Sequence, residues 1–225
     1  LCSPSSLGHL GLYFACGFYL ANKMSRVKLQ QKIRREYVVL GLQNSGTTLC
    51  QRLLDRVGLL CTPVGKHAPD ERALCQFIEA NQGMTVVIMV RHPASWVASM
   101  KRQPYEWELG ERIHDSCAHK FNGKLYRFEN MMTAYETYMK MYEELARVYK
   151  NVRFLEYEKV IDPENGYNYF NATIPISRHD FRDVLGAPSK RGLCVNNSQE
   201  AYKKAKNPFT GLDEDESEFI KKKRR

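Results

Sequence analysis

The chain has no Cys-x-x-Cys pair, no apolar run of membrane-spanning length, and no lysine after the second glycine of its one Gly-x-x-x-x-Gly loop. The first absence removes the common zinc folds. Seven cysteines (Cys2, Cys16, Cys50, Cys61, Cys75, Cys117, Cys194) pair with no histidine at ligand spacing, and their odd number leaves at least one thiol unpaired. Cys50, Cys61 and Cys75 stand among apolar neighbours and read as small core residues. The second absence limits the N-terminus: Leu7 to Ala21 is an apolar run of fifteen broken by His9, where a bilayer needs about 20. A membrane anchor or stem, an interfacial segment and a buried helix all stay open. The third removes the cation that reaches the β and γ phosphates in a nucleoside triphosphatase.

Charge of one sign is also scarcer than the total suggests. Of the net +9, six bases and no acid lie in residues 1–35, and residues 213–225 hold five acids followed by five bases. The body between carries 23 bases against 20 acids, so a nucleic-acid partner is not indicated and a local anion site is the sharper expectation. The remaining composition, 225 residues with 43% hydrophobic and 26% charged, is that of a globular domain large enough for one core without disulfides. Three segments follow: 1–35, apolar then basic; 36–212, the folded domain; 213–225, a charged tail read as solvated.

Hydrophobic patterning gives the order of elements. Glu36–Leu42, Thr85–Val90 and Val152–Tyr157 are short apolar, β-branched runs, the signature of buried parallel strands; Leu59–Val64 is a fourth. Helical spacing begins at Thr47 and stops at Gly58, recurs over 70–80, restarts at Ser95–Arg102, and runs over Leu125–Tyr149 with a Met and Tyr stripe assigned to the core. Alternating strands and helices predict an α/β fold, a parallel central sheet flanked by helices, with ligands at the carboxyl ends of the strands. Trp96 and Trp107 read as packing residues.

The loop Gly41-Leu-Gln-Asn-Ser-Gly-Thr-Thr48 follows the first strand and opens a helix, where backbone amides face an anion. An ordinary capped turn explains it equally well when taken alone. The other segments decide: SGTT at 45–48, Arg91 after TVVIMV with Ser99 eight residues on, KHAP at 66–69 and FLEYEKVIDPE at 154–164. In this order, over about residues 37 to 187, they resemble the P-loop-like domain of sulfotransferases that use 3'-phosphoadenosine 5'-phosphosulfate (PAPS) and release the 3',5'-bisphosphate PAP. The resemblance implies a P-loop nucleotide-binding-like fold and in-line sulfuryl transfer to a hydroxyl or amine without a metal. It implies that Asn44, Ser45, Gly46, Thr47 and Thr48 hold the 5'-phosphosulfate, and that Arg91 and Ser99 hold the 3'-phosphate. Lys190 and Arg191, in Ser189-Lys-Arg-Gly192, match the family's late glycine-rich segment in part. His67 is the expected general base, an imidazole titrating near neutrality, with Asp70 or Glu71 as alternatives.

Asn44 stands where many cytosolic members have lysine, which removes a cation from the reacting centre. Lys66 is the expected substitute, ahead of Arg52. Two rivals stand beside this reading: a P-loop kinase, which lacks its loop lysine and Mg²⁺ carboxylate here, and an inactive relative that binds PAPS or PAP. Residues 103–130, mixed aromatic and charged, are the expected wall of the acceptor site. A membrane stem with the sequons at Asn171 and Asn196 points to a Golgi membrane or luminal glycoprotein acting on carbohydrate. The short span from Thr48 to Lys66 argues against a cytosolic phenol enzyme, though a cytoplasmic location is the alternative.

Overall fold

The computed structural model describes residues 37–59, 66–187 and 206–223. In chain order these form β1 (Tyr37–Leu40), α1 (Thr47–Arg56), α2 (Glu71–Ala80), β2 (Thr85–Val90), α3 (Pro93–Arg102), β3 (Trp107–Glu108), β4 (Cys117–Phe121) and β5 (Lys124–Phe128), then α4 (Met131–Val148), β6 (Val152–Glu156), the single turn α5 (Tyr157–Val160), α6 (Gly166–Thr173), α7 (Arg178–Gly186) and α8 (Glu214–Lys223). The expected N-terminal segment 1–35, strand positions 60–64, Lys190, Arg191 and Asn196 lie outside the described residues.

The fold is α/β. Strands β1, β2 and β6 pair in parallel in the order β1-β2-β6, with Ile88 facing Leu40 on one side and Phe154 on the other. Successive side chains leave a strand on opposite faces, so each strand feeds two cores. Val38, Leu40, Val86, Ile88 and Val152 join α3 and α4 in one; Tyr37, Val39, Val87, Met89 and Leu155 join α1, α6 and α7 in the other. This two-sided burial explains why the strands read as unbroken apolar runs. Each such side chain, fully buried, contributes roughly 1.5–3 kcal/mol relative to exposure. Trp96, fully buried, meets Trp107 edge to face at 5.8 Å and donates its indole N–H to the Gln43 carbonyl at 2.8 Å. Both tryptophans are packing residues, as expected.

Two expectations are corrected. Residues 125–128 are not helical: β4 and β5 form an antiparallel hairpin turned by Asn122 (φ 48°) and Gly123 (φ 78°). Positive φ at both central residues is the turn that Asn-Gly favours. The helix starts only at Met131, where Asn130 caps it by accepting from the Thr133 amide at 2.9 Å. The division of 213–225 as a solvated tail also fails, because α8 belongs to the same compact unit as the sheet. Its Ile220 is fully buried in the first core, and Lys101 Nζ donates to its buried Glu216 at 2.5 Å. Acids in its first turn and lysines in its last complement the helix dipole, which gives the charge run a helical reason.

Candidate active site

The loop after β1 is shaped by two glycines. At Gly41 a Cβ would come within 2.5 Å of the Met89 carbonyl and 2.6 Å of Ser45 Oγ; at Gly46, φ is 95° and a Cβ would strike the Tyr157 ring. Gly46 is the residue before α1, and no side chain caps that helix. The amides of its first turn are therefore without a side-chain acceptor, and with the dipole they favour an anion. Buried Ser45 donates its hydroxyl to the Leu42 carbonyl at 2.6 Å, so it braces the loop from within. Thr47 is buried and Thr48 exposed.

Gly41 also fastens the segment carrying the expected base. Its N–H donates to the Lys66 carbonyl at 2.9 Å, and its carbonyl lies 2.6 Å from His67 Nδ1. An acceptor at that distance makes Nδ1 the protonated nitrogen and leaves Nε2 with the lone pair. Residues 25 and 26 positions away in sequence are thus held on the loop by one main-chain bond and one from the His67 ring. Burial pushes the His67 imidazole down to about 4, outweighing the Gly41 bond, with Lys66 lowering it further. The expectation of a group titrating near neutrality is corrected: desolvation penalises the imidazolium. Lys66 Nζ donates to Gln51 Oε1 at 3.1 Å, which places the ammonium over the second turn of α1. Asp70 caps α2 by accepting from the Ala73 amide at 3.1 Å and Glu71 is exposed, so neither is arranged as a base.

Arg91 and Ser99 meet around Asn44. Arg91 Nη1 donates to the Asn44 carbonyl at 2.8 Å, and Asn44 Nδ2 donates to the Gln103 carbonyl at 2.9 Å and the Ser99 carbonyl at 3.4 Å. Asn44 adopts φ 62°, a conformation asparagine tolerates. Its carboxamide closes the C-terminal end of α3, so the expected side-chain contact to a 5'-phosphosulfate is corrected: the amide is spent on carbonyls. The Arg91 guanidinium lies 4.7 Å above the Tyr157 ring and its Nε is 4.0 Å from Glu158 Oε1. That Nε is buried with no hydrogen-bond partner. Glu158 accepts from the His92 amide at 3.1 Å, and burial raises its carboxyl above the ordinary range despite Arg91.

Four residues of this neighbourhood escaped the sequence reading: Tyr157, Glu158, Tyr138 and His119. The first two follow β6 as Arg91 follows β2, and the same question asked of each strand end would have found them. His119 sits on the hairpin, which Asn122-Gly123 signals, and Tyr138 on α4. His119 Nδ1 lies 2.5 Å from the Tyr138 hydroxyl, whose proton faces the His67 carbonyl at 3.4 Å. The His119 ring stacks on Trp107 at 4.7 Å, and its Nε2 is buried without a partner.

No family model matches the chain, and no curated protein matches it. No described helix is long and apolar enough to cross a membrane. Asn171 accepts from the Ile176 amide at 3.0 Å, a structural use for its side chain.

Proposed function

We propose that the protein is a PAPS-dependent sulfotransferase with a P-loop nucleotide-binding-like fold. The observation that carries this reading is the two-way bond between Gly41 and Lys66–His67, which sets an imidazole with a free Nε2 lone pair against an uncapped helix N-terminus. An anion-binding loop and a proton acceptor side by side are what transfer from an anionic donor to a hydroxyl requires.

The residues present fit the donor. The amides of Gly46, Thr47 and Thr48 with the two threonine hydroxyls would hold the 5'-phosphosulfate, and the Arg91 guanidinium and Ser99 would meet the 3'-phosphate. Held there, PAPS would supply a sulfuryl group, the electron pair of the broken O–S bond leaving with PAP. His67 Nε2 takes the acceptor's proton. Burial keeps His67 neutral at pH 7, so it is already in the accepting form; negative charge on the loop would favour the imidazolium once formed. Lys66 supplies the cation that Asn44 does not. The protein's acceptor carries a hydroxyl or amine.

Calorimetry with PAP and with ATP tests the class, together with turnover of labelled PAPS over an acceptor panel. Tighter binding of PAP and transfer of label are expected. Preference for ATP would indicate a kinase, and PAP binding without transfer to any acceptor an inactive relative.

A further inference from the structure

We infer that Glu158 is a specificity-determining residue of the anion site at Arg91: it shares one proton with the phosphate bound there, so the site takes a phosphate in preference to a sulfate. This rests on the placement of the 3'-phosphate at Arg91 in the reading above and adds what that placement selects.

A carboxylate is out of place beside an anion, and its position here is fixed by the sheet. Strands β2 and β6 run in parallel with Val90 opposite Glu156, so Arg91 and Glu158, each just past its strand, come together at one edge. Glu158 Oε1 stands 4.0 Å from Arg91 Nε, so no hydrogen bond closes the pair. Both side chains still reach the surface, Arg91 at 16% and Glu158 at 24% exposed, which lets one ligand meet both. The Glu158 oxygens accept from the His92 amide at 3.1 and 3.2 Å. A carboxylate has about four lone-pair sites, so there is room for a further donor.

The surrounding charges leave that room open. Arg91 from the end of β2 and the His92 amide favour the carboxylate, while burial and Glu156 at the end of β6 raise its carboxyl above the ordinary range. Glu156 is itself paired with Lys159 at 2.6 Å. Burial keeps the neighbouring Tyr157 hydroxyl protonated, and Arg102 acts on Arg91.

The chemistry of the two anions then separates them. At about pH 8, inorganic phosphate and sulfate are both tetrahedral dianions, and they differ by one proton. Phosphate carries an O–H that the carboxylate accepts; sulfate carries none and meets repulsion. A phosphate monoester, whose second pKa is about 6, takes up that proton as it binds. A hydrogen bond to a charged group is worth on the order of tenfold to a hundredfold in affinity. PAPS carries a phosphate at one end and a sulfate at the other, so the same selection fixes which end enters.

The test follows inorganic phosphate binding to the full chain by phosphorus NMR at about pH 8, with sulfate as competitor, in the wild type and in Glu158→Gln. In the wild type the sulfate dissociation constant should lie at least tenfold above that of phosphate. In Glu158→Gln, whose amide donates to either anion, sulfate should tighten at least fivefold and the ratio fall below threefold. Calorimetry with PAP in two buffers of different ionisation enthalpy should show proton uptake in the wild type, and about half a proton less or lower still in the variant. A wild type that binds sulfate as tightly as phosphate overturns the inference, whether or not the variant folds. So does a variant in which both anions tighten equally, the behaviour of a carboxylate that only neutralises Arg91. Phosphate selection that depends on Glu158, in a chain that does not bind PAP, overturns the transfer reading and leaves the role of Glu158 intact. PAP binding without that selection does the reverse.

Discussion

Acid should destabilise this protein between about pH 6.5 and 4 through two desolvated imidazoles, and the size of the effect follows from their surroundings. Burial lowers both His67 and His119 from 6.5 to about 4 in the folded state. A depressed histidine contributes its stability fully above the unfolded value and loses it as pH falls toward the folded one. At 1.36 kcal/mol per pH unit, each contributes about 2 kcal/mol that is gone by pH 5, about 4 kcal/mol together. For His119 the reason is visible, since protonation would put a second N–H on a nitrogen that has no acceptor and is sealed from water. Urea unfolding at about pH 7.5 and 5 measures this in the wild type and in His119→Gln. The variant loses the stack on Trp107 at both pH values, so the quantity to compare is each protein's own change. Glu158, whose raised carboxyl works in the opposite direction, is common to both and cancels. The wild type should lose about 2 kcal/mol more than His119→Gln. Equal losses in the two proteins would refute the assignment of His119 as a titrating, desolvated group.

Other outcomes follow from single contacts. Gly46→Ala places a Cβ against the Tyr157 ring at φ 95°, so it should cost about 2–4 kcal/mol in denaturant midpoint analysis and weaken PAP by tenfold or more. Ile220→Ala should cost about 2–5 kcal/mol by thermal unfolding, since the side chain is fully buried; a solvated tail would give no change. Lys66→Ala should lower the steady-state rate by about a hundredfold with the fold intact, because its ammonium is the cation beside His67, and a normal rate would remove Lys66 from the mechanism.

The parallel strands were legible because their two buried faces leave continuous apolar runs, and the loop because Gly41 and Gly46 answer to φ and to close neighbours. Thr85–Val90 matches its strand residue for residue. The hairpin was missed although Asn122-Gly123 signals it, because Leu125 and Phe128 also fit the helical spacing of α4. The period of a short apolar pattern does not separate strand from helix. The C-terminal charges were taken as solvated because a run of acids and bases carries no mark of the one isoleucine that docks it.

By itself the sequence determined which segments are the parallel strands and where an anion could meet a helix N-terminus. These depend on neighbours within a few positions. Only the tertiary structure decided that Asn44 turns its amide to α3, that His67 is desolvated and fixed to Gly41, and that His119 on the hairpin and Tyr138 on α4 support it. Such facts are set by burial and by bonds between residues far apart in the chain, and the linear order of side chains carries no record of either.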